Sequence, residues 1–272
     1  MTVVANFYPV FEAAREVGGD RVQVRNLTPA GGEPHDLELS PKQVDEILDA
    51  RVVLYMGLGF QPAVEDVARQ RHGGVTVDVL AALTSQLRNL PSGATEKGTD
   101  PHVWLDPVLM AAIVDQVSRA MTRADPSDAR TYQRNASRYR VDIKALDQRY
   151  REGLAHCARR VIVTSHAAFG YLAARYGLVQ EPIAGLSPEA EPDPQRLAEL
   201  ADLVRRDGVT TIFTEELVSP RVADTLAREA GVKTAVLNPL EGLTTRELAR
   251  AESYVSVMRE NLAALRAALG CR

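Results

Sequence analysis

Short apolar runs rich in β-branched residues alternate along the chain with longer stretches whose apolar residues recur every three or four positions. The first pattern is typical of buried strands and the second of helices, and their alternation predicts βαβ units with parallel sheets. Four candidate strands fall in each half of the chain: 3–8, 22–26, 52–56 and 75–79, then 160–164, 179–182, 210–214 and 234–237. The pattern therefore predicts an α/β protein of two lobes, each with a four-stranded, mainly parallel sheet flanked by helices.

One helical face spans the middle of the chain, between the two sets of strands. Its apolar positions in residues 128–154 are Tyr132, Ala136, Tyr139, Ile143, Leu146, Tyr150 and Leu154. At 1.5 Å per residue such a helix is about 40 Å long. We predict a long, rigid connecting helix at 128–154 between an N-terminal lobe, 1–127, and a C-terminal lobe, 155–272. One more surface helix on a single sheet is the alternative. A second amphipathic pattern, at 245–269, predicts a closing helix on the second lobe.

Composition narrows the class of protein. The 272 residues carry a formal net charge of -4, and the basic residues are scattered, so we expect no nucleic-acid partner. The sequence contains no apolar run long enough to span a bilayer. Met1 leads almost directly into the first predicted strand, so we expect that a leader has been removed. Two cysteines, Cys157 and Cys271, fit either two buried thiols or one disulfide.

Three of the five histidines lie in loops that follow strands or precede helices. They are His35, His102 and His166, and the carboxyl ends of strands are where ligands bind in open α/β sheets. Taken singly, each also fits a helix cap or a hydrogen bond to a carbonyl group. Three imidazoles converging from separate loops would form a zinc site, although their spacing matches no local zinc motif.

A fourth ligand distinguishes a binding site from a catalytic one, because catalytic zinc keeps a position for water. Glu241 follows the last predicted strand and is the preferred candidate. Glu215, after the preceding strand, is an alternative ligand or an outer group, and water is the other alternative. Asp36 and Asp100 adjoin the histidines and could orient an imidazole ring through its second nitrogen.

Other motifs are weak. Gly57-Leu58-Gly59-Phe60 lacks the third glycine of a dinucleotide-binding fingerprint, and Ser165-His166 lacks the Gly-x-Ser-x-Gly turn of serine hydrolases. We therefore predict neither a nucleotide site nor a serine nucleophile.

Over nearly its whole length the chain resembles the metal-binding lipoproteins of ABC importers, the cluster A-I or zinc/manganese solute-binding proteins. The segments that carry the resemblance are Phe7-Tyr8-Pro9, Pro34-His35-Asp36, Gly57-Leu58-Gly59-Phe60, Asp100-Pro101-His102-Val103-Trp104-Leu105-Asp106-Pro107, Thr164-Ser165-His166-Ala167-Ala168-Phe169 and Asn238-Pro239-Leu240-Glu241. The resemblance implies two lobes joined by a long helix, with a metal ion bound in the cleft. It implies His35 and His102 as ligands from the first lobe, and His166 with an acid from the second.

The resemblance is specific to the zinc-binding branch. Many members have an aspartate at the position of Asn238, whereas zinc members with Asn-Pro-Leu-Glu use the glutamate, which here is Glu241. Manganese members tend to have glutamate at the position of His166. Three imidazoles and one carboxylate also suit tetrahedral Zn²⁺ better than Mn²⁺. The long histidine-rich loop of some zinc members, which would fall between Ala82 and Asp100, is missing.

The resemblance implies a non-enzymatic, monomeric receptor outside the cytoplasm, lipid-anchored in its precursor. It would capture Zn²⁺ and deliver it to the membrane permease of an ABC importer. That oxidising location favours a disulfide between Cys157 and Cys271. Three alternatives stay open: a manganese or iron receptor, a zinc hydrolase with Glu215 or Glu241 as its base, and a structural or adhesive role.

Overall fold

The strands form two separate four-stranded sheets. The computed structural model describes residues 1–87, 100–189 and 193–272, so most of the segment between Ala82 and Asp100 lies outside the described residues. In each sheet all neighbouring strands are parallel, and the strand orders are β2-β1-β3-β4 and β6-β5-β7-β8. The strands are β1 Thr2–Ala5, β2 Gln23–Asn26, β3 Val52–Tyr55, β4 Val75–Asp78, β5 Val161–Thr164, β6 Val179–Pro182, β7 Thr211–Thr214 and β8 Lys233–Val236. The predicted fold class, with all eight strands, is confirmed.

Helices follow the strands along the chain. They are α1 Tyr8–Gly18, α2 Pro41–Asp49, α3 Pro62–Arg69, α4 Thr84–Leu87, α5 Pro107–Ala124, α6 Ala129–Gly153, α7 Gly170–Tyr176, α8 Pro194–Arg206, α9 Arg221–Ala230, α10 Thr245–Ala249 and α11 Tyr254–Leu269. Several begin at a local signal in the sequence. Ser40 forms a capping box with Gln43 at the start of α2, and Thr244 does the same with Glu247 at the start of α10.

The chain divides into two compact units that interleave in sequence. The first comprises Met1–Asn89, Pro107–Ala145 and Leu240–Tyr254, and the second comprises Leu90–Asp106, Leu146–Pro239 and Val255–Arg272. Each unit has its own apolar core around the central strands of its sheet. These strands are covered on both faces, and for that reason they are mostly apolar. The predicted limits of 1–127, 128–154 and 155–272 stay a prediction about the lobes.

The long helix α6 runs from the first unit into the second, with the change at Ala145 and Leu146. It has 25 residues and begins after a 3-10 turn at Pro126–Asp128. All seven apolar residues of its predicted face are at most 4% exposed. The periodicity thus predicted both the helix and the side that it buries. Among the described residues, no helix combines the length and apolar character that crossing a membrane requires.

Two predicted elements were wrong in detail. The first strand does not extend to Tyr8 but ends at Ala5, and α1 begins at Tyr8 because Pro9 lies in its first turn, where proline is favoured. The segment 245–269 is not one helix on the second lobe. It breaks between α10 and α11, where Ala251 has a φ of 55°, and α10 belongs to the first unit.

A buried carboxylate accounts for the break. The backbone N–H of Tyr254, the first residue of α11, donates to both carboxylate oxygens of Glu12 at 2.9 and 3.0 Å. The hydroxyls of Tyr8 and Tyr139 also donate to Glu12, which is 1% exposed. This side chain from α1 satisfies an N–H group at a helix start that would otherwise lack a partner. A tertiary contact therefore overrides a continuous helical pattern.

Glu12 is expected to make stability depend on pH. Burial raises the pKa of its carboxyl above the ordinary value, and the hydrogen bonds from Tyr8, Tyr254 and Tyr139 offset only part of this shift. The folded protein therefore holds this proton more tightly than the unfolded chain does. Stability from the protonated group is present below the ordinary pKa and is lost as pH rises through the raised pKa.

Thermal unfolding of zinc-free wild type and Glu12→Gln, followed from neutral pH to about pH 5, checks this expectation. The melting temperature of the wild type should rise relative to that of the variant as the solution becomes more acidic. Glu16→Gln, in the same helix but partly exposed, is the control and should show no such divergence. A constant difference between wild type and Glu12→Gln at every pH would contradict the assignment.

Candidate metal centre

His102 lies in the loop before a 3-10 turn at Val103–Leu105 and is fully buried. Its Nδ1 atom is 2.7 Å from Oδ1 of Asp100, and its backbone N–H donates to the same oxygen at 2.9 Å. The hydroxyl of Tyr171 donates to the backbone carbonyl of Asp100 at 3.0 Å. Asp106, which ends the loop, accepts two hydrogen bonds from Arg175 at 2.8 and 2.6 Å. These contacts within the second unit fix the loop and the orientation of the His102 ring.

His166 follows β5 and is also fully buried. Its Nδ1 atom is 2.8 Å from Oε1 of Glu215, which follows β7, the neighbouring strand. Its backbone carbonyl accepts hydrogen bonds from the hydroxyl of Thr164 at 2.7 Å and the amide of Gln180 at 3.0 Å. Adjacent parallel strands thus bring His166 and Glu215 to one edge of the second sheet.

The Nε2 atoms of His102 and His166 face each other at 3.4 Å. A carboxylate accepts at Nδ1 of each ring, so in the neutral imidazole the proton is on Nδ1 and Nε2 has a lone pair. Two lone pairs at this distance repel each other unless a cation lies between them. The pair therefore has the geometry of two metal-binding nitrogens.

In the first unit, Nε2 of His35 lies 3.2 Å from Oε1 of Glu241. The two side chains are 11% and 1% exposed. Glu241 follows β8 in sequence, but the compact units group it with His35, whereas His102 is grouped with His166. The lobes that the family resemblance implied for His102 and the acid stay a prediction.

Buried amide groups support the His35 loop. Gln61 is 1% exposed, and its amide donates to the carbonyl of Pro34 at 2.9 Å and to the hydroxyl of Thr28 at 3.0 Å. Its carbonyl oxygen accepts from the amide of Asn6 at 2.8 Å. A buried polar network in which these groups are mutually bonded holds a loop rigidly. The backbone that carries His35 is fixed in this way to the end of β1.

The segment Gly57-Leu58-Gly59-Phe60 also contacts His35, through the aromatic ring of Phe60. Phe60 packs edge-on against His35 with 4.7 Å between ring centroids. A Cβ atom at Gly57 would lie 2.2 Å from an Asp78 carboxylate oxygen, so a larger residue there would have to displace the Asp78 side chain, and Gly59 has a φ of 74°, which favours glycine. The two glycines serve a tight turn beside the site.

Glu241 is preceded by a firmly held segment. In the second unit, Asn261 accepts from the backbone N–H of Asn238 at 2.8 Å and donates to its carbonyl at 2.7 Å. The indole of Trp104 donates to the carbonyl of Pro239 at 2.7 Å. Leu240 is buried with a φ of 58°, a conformation that costs free energy in a residue other than glycine. Strain of this kind is characteristic of positions whose geometry matters for function.

Of the predicted outer groups, Asp100 and Glu215 contact imidazoles, whereas Asp36 is exposed. Sequence reasoning missed Gln61, Asn6 and Asn261, for which no sequence signal existed, since a buried amide looks like any other polar residue. For Trp104 a signal was present, because it is the only tryptophan and lies two residues from His102. The structure also joins Cys157 and Cys271 in a disulfide.

The chain is an α/β protein of two units, each with one four-stranded parallel sheet, and its imidazole and carboxylate donors lie in pairs that suit a metal ion. The chain belongs to the ZnuA family, described as zinc-uptake complex component A, periplasmic, whose sequence model matches residues 3–268.

Known relatives agree with this family. The zinc-binding lipoprotein AdcA of Streptococcus pneumoniae serotype 4 is 40% identical over 98% of this chain and 55% of its own length. The high-affinity zinc uptake system protein ZnuA of Bacillus subtilis is 37% identical over 98% of this chain and 87% of its own length. The crystal structure of the Zn(II)-bound ZnuA-like domain of S. pneumoniae AdcA has a TM-score of 0.85 and 39% identity over 99% of this chain and 98% of that domain. The chain spans about half the length of the streptococcal relatives.

Proposed function

We propose that the protein captures Zn²⁺ outside the cytoplasm and delivers it to the permease of an ABC importer. In this proposal His35, His102, His166 and Glu241 each provide one ligand atom to a single ion, which is cargo rather than a cofactor. The protein is a monomeric receptor without catalytic residues, and its precursor is lipid-anchored. The names of the relatives, a zinc-binding lipoprotein and a zinc uptake protein, support the proposal.

The spacing within each donor pair is the observation that carries the proposal. Two atoms bound to one tetrahedral zinc ion at about 2.0–2.1 Å lie roughly 3.3 Å apart. The nitrogen pair of the second unit is separated by 3.4 Å, and the nitrogen–oxygen pair of the first by 3.2 Å. Each pair therefore already has the separation that tetrahedral zinc requires.

The donor set favours zinc over the alternatives. Imidazole nitrogen suits Zn²⁺, whereas Mn²⁺ is better matched by carboxylate, carbonyl and water oxygens in a larger coordination shell. A hydrolase would need a coordination position for water and a free base. Four protein ligands fill a tetrahedral shell, and Glu215 already binds the Nδ1 side of His166. These features support binding and release rather than catalysis.

Metal competition on purified protein tests the metal and the carboxylate together. We expect one zinc ion per chain, displaced poorly by manganese. Glu241→Ala should weaken zinc binding about 100-fold, because each of four ligands supplies roughly 3 kcal/mol of a structural-type zinc affinity. Glu216→Ala, an exposed neighbour of Glu215, is the control and should bind zinc as the wild type does.

A preference for manganese would contradict the zinc assignment, and undiminished zinc affinity in Glu241→Ala would remove Glu241 from the ligand set. Delivery is tested separately, by measuring zinc uptake through the importer with and without this receptor. Uptake that does not depend on the receptor would contradict a transport role.

A further inference from the structure

We propose that Asp100 and Glu215 are positioning residues that preset His102 and His166 to bind zinc through Nε2. The proposal rests on the proposed function and adds two residues that act on the ion through other side chains. Both carboxylates are buried, with side chains 3% and 2% exposed, and each contacts the Nδ1 atom of one histidine.

The contacts determine which nitrogen can bind a metal. A carboxylate only accepts hydrogen bonds, so the imidazole nitrogen beside it must have the proton. Asp100 acts in this way at 2.7 Å and Glu215 at 2.8 Å. The opposite nitrogen of each neutral ring then has the lone pair, and these two nitrogens are the ones that face each other at 3.4 Å. Both imidazoles are therefore in the metal-binding tautomer before any ion arrives.

Asp100 contacts the protein backbone as well as an imidazole ring, whereas the Glu215 side chain hydrogen-bonds to the ring of His166. The comparison therefore distinguishes an effect on the ring from an effect on the loop that carries it. Asp100 also accepts the backbone N–H of His102 and so fixes the main chain as well as the ring. Glu215 reaches His166 from a neighbouring strand, while Thr164 and Gln180 hold the His166 backbone independently. Removal of the Glu215 charge should accordingly affect the ring with little effect on the loop.

The negative charges of Asp100 and Glu215 also favour the zinc-bound state of the site over the empty state. With Glu241 as the only carboxylate ligand, zinc would bring one uncompensated positive charge into a buried environment. The carboxylates of Asp100 and Glu215 lie one imidazole away from the ion and oppose that charge. A carboxylate at Nδ1 also raises the basicity of the nitrogen on the other side of the ring, which strengthens its bond to zinc.

Zinc titration of two amide variants tests the proposal. Asp100→Asn and Glu215→Gln keep the shape of each side chain but remove the charge, and the new NH₂ group can donate to Nδ1 and so stabilise the wrong tautomer. We expect each variant to bind one zinc ion 10- to 100-fold more weakly, as is typical for outer partners of metal-bound histidine. The matched controls are Asp20→Asn and Glu216→Gln, which alter an exposed aspartate distant in sequence from every proposed ligand and an exposed glutamate beside Glu215. The controls should bind zinc as the wild type does, and affinities for Asp100→Asn and Glu215→Gln within threefold of wild type would overturn the proposal.

Nitrogen NMR of zinc-free protein labelled with ¹⁵N-histidine provides a readout that a merely structural role would not change. In wild type, His102 and His166 should be in the Nδ1–H form. Asp100→Asn should lose this form at His102 and Glu215→Gln should lose it at His166, while the melting temperature of each variant stays close to that of wild type. Nε2–H signals for His102 and His166 in wild type would overturn the proposal. Because this measurement needs no metal, it separates the two claims: a protein that shows the Nδ1–H pair but binds no zinc would contradict the proposed function alone.

Discussion

Zinc affinity is expected to fall by about two orders of magnitude or more when His166 is replaced by alanine. The variant removes one of the two nitrogens that lie 3.4 Å apart, and one of four ligands accounts for roughly 3 kcal/mol of zinc binding. It also leaves Glu215 buried without its imidazole partner, which costs further free energy in the protein. His102→Ala should produce a loss of similar size, because the nitrogen pair is symmetric.

Competition against a zinc chelator of known affinity measures this loss, with melting temperatures recorded in excess chelator to establish that the variants are folded. His72→Ala is the matched control, since His72 is exposed and distant in sequence from every proposed ligand. It should leave zinc affinity unchanged. A folded His166→Ala protein that retains wild-type affinity would contradict His166 as a ligand.

The strands and helices were predictable because burial imposes a regular spacing of apolar residues along the sequence. The strand Val52–Tyr55 is apolar throughout, as a strand covered on both faces must be, and α6 repeats apolar residues at helical spacing. The break between α10 and α11 was not predictable. It depends on Glu12, more than 200 residues away in sequence, which binds the N–H of Tyr254.

The sequence proposes the four candidate ligands, but it does not predict which of them contact each other. Loop context and family resemblance singled out His35, His102, His166 and Glu241, yet 206 residues separate His35 from its partner Glu241. No local spacing encodes such a contact. Glu215 was even harder to place, because its role depends on two neighbouring strands that bring it to the Nδ1 side of His166. For Glu215 the physical cause is the topology of the second sheet, which places the ends of β5 and β7 side by side although 49 residues separate His166 from Glu215.

Loss of the disulfide is expected to destabilise the protein strongly without affecting zinc binding. The bond between Cys157 and Cys271 closes a loop with a sequence separation of 114. This loop contains all four strands of the second sheet, β5 to β8. In the chain-entropy model, a loop of this size restricts the unfolded chain by roughly 4–5 kcal/mol, an upper figure when the unfolded chain keeps structure. Both cysteines lie outside the proposed ligand set, so the effect should be confined to stability.

Thermal unfolding of the Cys157→Ser/Cys271→Ser double variant checks this expectation. At roughly 2–4 °C per kcal/mol for a chain of this size, the melting temperature should fall by about 10 °C. Wild type treated with a reductant is the matched comparison and should unfold at the temperature of the double variant, because both lack the same covalent link. Zinc affinity at a temperature where all forms are folded should be equal. An oxidised wild type no more stable than the double variant would show that the link does not restrict the unfolded chain. A loss of zinc affinity in the double variant would contradict the expectation that the disulfide affects stability alone.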